Sequence, residues 1–164
     1  MNEVIIVKIG MADLNIASGG ESLKTTGLGS CVGLTLHDAQ IGLAGMAHIM
    51  LPSSDIAREG QLNVAKYADT AVPELIARLK AGGANIRRLV AKLAGGAQMF
   101  AFSNGSDSMR IGPRNVESTK LALAAHDIPI IAEDTGGNFG RTIEFSSSSG
   151  MLTIRSVQNG VKEI

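Results

Sequence analysis

The sequence has a single cysteine, no tryptophan and only 3% aromatic residues. One cysteine cannot form an internal disulfide, so the chain suits a reducing compartment. Scarce aromatic side chains leave no stacking platform for bases or sugars. The 15 Lys and Arg residues balance 15 Asp and Glu residues, and no basic stripe stands out. Because phosphate backbones need clustered cations, we expect no nucleic-acid partner.

Long apolar runs and targeting features are also missing. No apolar segment approaches the roughly 20 residues that a membrane-spanning helix needs. The first residues lack the basic head, apolar stretch and cleavage site of a signal peptide. We therefore expect a cytoplasmic protein without membrane insertion. Its 164 residues, 45% of them apolar, suit one domain over 1–164 with its core at about 4–157.

The spacing of apolar residues predicts many short strands and two helices. One helix is predicted over 63–80, with a kink or restart at Pro73, and one over 116–126, with Asn115 as its N-cap. Strands are predicted over 4–9, 13–17, 32–36, 41–49, 88–93, 128–132, 142–145 and 151–157, with 24–31 as a polar, glycine-rich segment and a frayed C-terminal end. Most links between strands are too short for parallel crossovers. We expect a layered α/β sandwich of largely antiparallel sheet covered by the two helices.

A hairpin between two of these strands would bring Cys31 close to His48. If Ala39 and Gln40 form a two-residue loop, facing residues sum to 79, since 38 + 41 = 79 and 31 + 48 = 79. Directly opposite side chains share a face, with Cβ atoms about 4.5–5.5 Å apart. These two loop residues are poor choices for a primed turn, so a longer loop or a bulge would change the count.

Such a pair could perform thiol chemistry. A free thiol has a pKa of about 8.5, and a neighbouring imidazole promotes the thiolate and later protonates the leaving group. The preceding backbone amides, at Gly29 and Ser30, could stabilise an oxyanion. The alternative is that Cys31 is a small buried apolar residue and His48 a packed one, and these features alone leave it open.

Six sequence blocks, spread over most of the chain, resemble the CheD family of chemoreceptor glutamine deamidases from bacterial and archaeal chemotaxis. The blocks are TTGLGSCVGL (25–34), GMAHIMLP (45–52), KYADTAV (66–72), KLAGGAQMF (92–100), IGPRNV (111–116) and AEDTGGN (132–138). Several blocks in the right order are far more specific than any one of them. The resemblance runs from about residue 4 to residue 155.

The resemblance implies a catalytic trio and a reaction. The nucleophile would be Cys31, the base His48 and the third member Thr25, although the adjacent Thr26 stays an alternative. Glutamine side chains of a chemoreceptor's cytoplasmic helical bundle would be converted to methylatable glutamates through a thioester. Hydrolysis of glutamyl methyl esters is a plausible side activity. The implied fold is similar to the catalytic domain of the cytotoxic necrotizing factor toxins.

The resemblance also implies a second partner, the CheC phosphatase, which could share the receptor-binding surface. A candidate surface is the apolar part of the 98–105 segment, namely Met99, Phe100 and Phe102, although these residues could equally belong to the core. No metal or other cofactor is expected, because three scattered histidines and one cysteine make no ligand cluster. We expect His37 and His126 to face solvent.

Two other function classes stay open. The protein could act mainly as an adaptor that binds receptor and stimulates CheC, with little catalysis of its own. Cys31 could instead be a peroxide-sensing thiol, but the chain offers no resolving cysteine, and that function would leave His48 unexplained.

Overall fold

The computed structural model describes residues 4–57, 62–99 and 110–164, which form ten strands and two α-helices. The strands are β1 (Ile6–Lys8), β2 (Leu14–Ala17), β3 (Ser22–Leu28), β4 (Val32–Asp38), β5 (Leu43–Ile49), β6 (Val90–Gly95), β7 (Ile130–Thr135), β8 (Arg141–Ser146), β9 (Leu152–Ser156) and β10 (Gly160–Glu163). The helices are α1 (Ala68–Ala81) and α2 (Ile111–Ala125). Short 3₁₀ turns lie at Ser54–Ile56 and Ile86–Arg88.

The strands form two five-stranded sheets, in the orders β1-β3-β8-β9-β10 and β2-β5-β4-β6-β7. Only the β1–β3 and β6–β7 pairs are parallel, and the other pairs in the described ranges are antiparallel. The prediction of largely antiparallel sheet covered by two helices is therefore confirmed. We call the sheets the β3 sheet and the β4 sheet after the strands that lie next to the site described below.

The β4 sheet is the middle of three layers. Its helix-facing side packs against buried residues of α1 and α2, including Leu75, Leu79 and Leu123. Its other side packs against the β3 sheet, through residues such as Met46 and Ile143. Every residue of β4 and β5 is buried, as expected for strands covered on both faces.

The hairpin between β4 and β5 has a different register from the predicted one. Facing residues sum to 81, since Val32 lies opposite Ile49 and Asp38 opposite Leu43. The connection is therefore residues 39–42, with Gly42 at φ 64°. Its tight turn is supported by the Gln40 amide, which donates to the Asp38 carboxylate at 3.2 Å. The predicted two-residue loop was wrong, but a slip of two residues leaves each side chain on its predicted face.

Both helices begin elsewhere than predicted. Helix α1 starts at Ala68, because residues before it form a turn in which the Lys66 carbonyl accepts from the amides of Met50 and Leu51. Pro73 lies inside α1 and does not restart it. Helix α2 starts at Ile111, so Asn115 lies within the helix rather than at its N-cap.

Two strands were not predicted. The polar 24–31 segment belongs largely to β3, and the C-terminal end pairs with β9 as β10. His37, predicted to face solvent, is only 6% exposed and donates from Nε2 to the Ser147 carbonyl at 2.8 Å. In the described ranges, neither helix has the length and apolar character needed to cross a bilayer.

Candidate active site

The two sheets bring Thr25 and His48 into contact. Thr25 lies on β3 and His48 on β5, and they are 2% and 0% exposed. The Thr25 Oγ1 lies 2.7 Å from Nδ1 of His48 and donates to the Ile9 carbonyl oxygen at 2.8 Å. A carbonyl oxygen can only accept, so the single hydroxyl hydrogen points at Ile9. Oγ1 must then accept from Nδ1–H, which fixes the proton of a neutral His48 on Nδ1.

The other ring nitrogen of His48 is left open. Nε2 is buried and has no hydrogen-bond partner among the described residues. Burial also lowers the pKa of His48 below its ordinary value, so the ring is neutral at pH 7. Because most buried polar atoms are paired, an unpaired nitrogen of this kind calls for an explanation. Chemically, it is a proton acceptor with its lone pair unused.

Cys31 lies just before β4, on the same side of the β4 sheet as His48. Gly33 is directly opposite His48, and Cys31, two residues earlier, packs with Met46 and Leu28 between the sheets. The predicted face is therefore right, but Cys31 is a diagonal neighbour of His48 rather than the residue opposite it. Diagonal neighbours are about 7–8 Å apart at Cα, and their side chains can still reach one another.

The thiol of Cys31 is protonated at rest. The side chain is only 8% exposed. Burial raises the pKa of the thiol above its ordinary value, while a hydrogen bond from its own backbone amide acts in the opposite direction. With the pKa of His48 lowered as well, the resting pair is a neutral thiol and a neutral imidazole. A thiolate would then form only when His48 takes the proton.

Strand alternation in β3 turns Thr25 inward with Leu23 and leaves Thr26 outward, and a bulge follows directly. In the ladder with β8, Thr25 faces Ile143 and Leu28 faces Arg141, so the register shifts between these two positions. Gly27, inside the bulge, has a φ of 73°, a conformation that favours glycine. Thr25 is buried while Thr26 is exposed, so only the first of the two threonines meets His48.

The backbone before Cys31 is held by the turn after β6. The Gly96 amide donates to the Cys31 carbonyl at 2.8 Å, and the Ala97 amide donates to the Gly29 carbonyl at 2.9 Å. A Cβ on Gly95 would overlap the Cys31 carbonyl oxygen, so only glycine permits this approach.

The Gly29 amide already donates to the Gly27 carbonyl at 3.1 Å, which leaves it poorly suited to bind an oxyanion.

Comparison with known proteins places the chain. The family model described as CheD chemotactic sensory transduction matches residues 50–156. A protein from Halalkalibacterium halodurans, named chemoreceptor glutamine deamidase CheD, is 54% identical over 164 residues, all of both chains. The Bacillus subtilis protein of that name is 51% identical over 162 residues, 99% of this chain and 98% of its own.

The chain belongs to the CheD family.

The relatives also cover the part of the chain that carries the site. The matched range of the family model begins after His48. The Halalkalibacterium and Bacillus proteins align over essentially the whole of this chain, including the position of Cys31. A probable chemoreceptor glutamine deamidase CheD from Geobacillus kaustophilus is 52% identical over 165 residues, with all of both chains covered.

Asn115 was not identified from the sequence as a residue of the site. Asn115 on α2 is 0% exposed, and its Nδ2 donates to the carbonyls of Ser30 at 2.9 Å and Met50 at 3.0 Å. The sequence carried no signal for this role, because asparagine directly before a predicted helix is an ordinary N-cap, and only the structure places it five residues into α2. The predicted N-cap role of Asn115 is therefore wrong.

The candidate partner surface of this CheD protein is described only in part. Met99 is 43% exposed and lies against the segment before Cys31, since a Cβ on Gly29 would be 3.4 Å from its Cγ. It lines a surface groove of about 640 Å³ together with Gly27, Phe139 and Arg141. Phe100 and Phe102 lie outside the described residues.

The residues that the structure describes in this CheD protein contain no group of three or more His, Cys, Asp or Glu side chains that could hold a metal ion. The reactive groups at the site are therefore a thiol and an imidazole with an unpaired Nε2, and a threonine hydroxyl orients the imidazole. Such a set is suited to acyl transfer by a cysteine nucleophile.

Proposed function

We propose that this protein is a chemoreceptor glutamine deamidase, with Cys31 as nucleophile, His48 as general base and acid, and Thr25 as the residue that orients His48. The observation that carries the proposal is the hydrogen bond from Nδ1–H of His48 to Thr25, because it leaves Nε2 free on the face that carries Cys31. The names of the full-length relatives supply the substrate.

Acylation begins when Nε2 of His48 takes the proton of the Cys31 thiol. The sulfur attacks the side-chain carbonyl carbon of the glutamine, a C–S bond forms, and the carbonyl π electrons move onto oxygen. When the tetrahedral intermediate collapses, the C–N bond breaks and the imidazolium gives its proton to the departing nitrogen. Ammonia leaves, and a thioester joins Cys31 to the glutamyl side chain.

Deacylation repeats these steps with water. Neutral His48 takes a proton from water as the oxygen attacks the thioester carbon. Collapse breaks the C–S bond, the sulfur regains a proton from the imidazolium, and glutamate is released. The same sequence on a glutamyl methyl ester would release methanol instead of ammonia, so methylesterase side activity belongs to the proposal.

The oxyanion would be held by backbone amides at the start of β4. Gly29 was predicted for this role, but its amide is engaged with Gly27. We assign the role to the amides of Ser30 and Cys31. The Cys31 amide lies close enough to its own sulfur to lower the thiol pKa, so it is near the atom that attacks. Donors aimed at developing charge are often the largest single contribution to catalysis.

The partners follow from the family resemblance. We propose that the substrate is the cytoplasmic helical bundle of a chemoreceptor, that the whole chain acts as one cytoplasmic domain, and that CheC is a second partner. Met99, beside the Cys31 segment, would lie where a bound receptor helix presents its glutamine. Competition between CheC and a receptor fragment for the enzyme tests whether the two share this surface.

The test is incubation with a receptor cytoplasmic fragment, followed by peptide mass spectrometry for conversion of glutamine to glutamate. We expect conversion by the parent and none above background by Cys31→Ala or His48→Ala. Unchanged conversion by either variant would refute the site assignment. If the parent converts nothing, but both it and Cys31→Ala stimulate CheC, the protein is an adaptor.

A further inference from the structure

Asn115 joins the two segments that carry the proposed nucleophile and base. Its side chain reaches from α2 to the Ser30 carbonyl, one residue before Cys31, and to the Met50 carbonyl, two residues after His48. The mechanism above does not use it. We propose that Asn115 is a positioning residue that aims the Cys31 amide at the oxyanion, an inference that rests on the proposed function.

The geometry of the peptide bond carries the first step. The Ser30 carbonyl and the Cys31 N–H belong to the same peptide unit, which is planar and trans, so the two bonds point in opposite directions. Asn115 holds the carbonyl towards α2 at 2.9 Å. The Cys31 N–H must therefore point away from α2. Fixing one end of this unit fixes the direction of the other.

Among the described residues, the backbone hydrogen bonds of the β4 sheet do not include the Ser30 carbonyl, since the Gly96 and Ala97 amides bind the Cys31 and Gly29 carbonyls on either side of it. The β4–β5 ladder has its last described pair at Val32 and Ile49. Ser30 and Met50 lie beyond that pair, where the two segments no longer form backbone hydrogen bonds with each other in the ladder. Asn115 bridges them with two hydrogen bonds from one nitrogen, so α2 continues the tie that the ladder no longer provides.

The orientation of the amide group of Asn115 is set by these contacts. Both of its neighbours are carbonyl oxygens, which can only accept, so the nitrogen must face them. Its Oδ1 is left buried without a partner among the described residues. An unpaired acceptor costs stability. The chain tolerates that cost at a position where one nitrogen with two donors joins both segments.

The test compares Asn115→Ala and Asn115→Asp with Thr119→Val. Thr119 is a matched control, because it is 0% exposed, lies one turn along α2 and donates its hydroxyl to the Asn115 backbone carbonyl rather than to the Ser30 or Met50 carbonyl. Asn115→Asp keeps the shape and loses both donors when its carboxyl is ionised. Two reactions are measured on each protein: glutamine conversion in the receptor fragment, and alkylation of Cys31 by iodoacetamide at high pH.

Deamidation forms an oxyanion and alkylation does not, so the two rates should separate. Loss of an entire oxyanion donor costs about 10²–10³ in kcat, and we expect a misaligned donor to cost about tenfold to hundredfold in both Asn115 variants. The KM should stay within about threefold of the parent, because ground-state binding does not use that donor. The alkylation rate should also stay within about threefold, because at high pH the thiol is ionised whether or not the amide lowers its pKa. As pH falls, Asn115→Asp should recover relative to the parent, since a protonated carboxyl regains one donor.

Three results would overturn the inference. One is deamidation by both Asn115 variants at the parental rate. Another is a parallel loss of deamidation and alkylation, and the third is an equal loss of deamidation in Thr119→Val. A parent that deamidates nothing refutes the proposed function instead. The positioning claim is then decided by the Cys31 amide resonance in NMR, which must move in Asn115→Asp and stay in Thr119→Val.

Discussion

Replacing Thr25 with valine tests the orientation of His48. Valine has nearly the shape of threonine, so the variant removes the hydroxyl and little else. Nδ1–H of His48 loses the oxygen that accepts it at 2.7 Å, and the Ile9 carbonyl loses its donor at 2.8 Å. Thr25 and His48 are both buried, so water cannot easily replace the lost hydroxyl.

The expected loss follows from the cost of leaving a buried donor unpaired, about 1–3 kcal/mol. The ring can escape that cost by moving its proton to Nε2, which then can no longer accept from Cys31. At 1.4 kcal/mol for each factor of ten, the kcat of deamidation should fall by about 5- to 140-fold. Thr25→Ser keeps the hydroxyl and should retain most activity.

The assay is glutamine conversion in the receptor fragment, followed by mass spectrometry, at a temperature where each variant is folded. The matched control is Thr26→Val, which removes the same hydroxyl from an exposed neighbour. ¹⁵N NMR of His48 reports which ring nitrogen carries the proton. The reasoning fails if Thr25→Val and Thr26→Val have the same kcat, or if the neutral parent ring is protonated on Nε2.

Three further predictions concern pH and packing. Burial lowers the pKa of His48 and raises that of Cys31, so kcat/KM should rise with pH below about 6.5 and fall only above about 8.5. A kcat/KM that still rises above neutral pH would contradict a resting pair of neutral thiol and neutral imidazole. A hydrogen bond from the Arg88 guanidinium lowers the pKa of Asp38. The stability that the ionised Asp38 carboxylate contributes is present above about pH 4 and should be lost as pH falls through its folded-state pKa. Thermal unfolding from pH 7 to 3 should show that loss in the parent and not in Asp38→Asn. Gly95→Ala should abolish activity or folding, because its Cβ would meet the Cys31 carbonyl, whereas Gly136→Ala, also at positive φ but with open space around it, should lose far less on both counts.

The sequence predicted a largely antiparallel sheet covered by two helices, but not the division of the strands into two sheets. The central strands are buried on both faces, so their apolar pattern does not distinguish one face from the other. Strand β3 was missed because it buries Ser22 and Thr25 among its apolar residues and contains a bulge at Gly27. Polar residues inside a core break the alternation by which a strand is recognised. The most important missed strand is thus also the one that carries Thr25.

The site was predicted in part for a similar reason. Parity of the register placed Cys31 and His48 on one face, even though the loop length was wrong by two residues. Asn115 could not be assigned, since its partners are backbone carbonyls more than sixty positions away in the chain. Long-range contacts to main-chain atoms leave no pattern in side-chain chemistry. The hydroxyl–imidazole contact of Thr25 likewise depends on how two separate sheets stack.

Hydroxylamine trapping tests the thioester on Cys31 most directly. Hydroxylamine competes with water for a thioester, so a receptor fragment incubated with the parent and hydroxylamine should acquire a glutamyl hydroxamate at the glutamines that are otherwise converted to glutamate. Cys31→Ala should yield neither product. Glutamate formed without any hydroxamate, or either product formed by Cys31→Ala, would contradict a covalent intermediate on this sulfur.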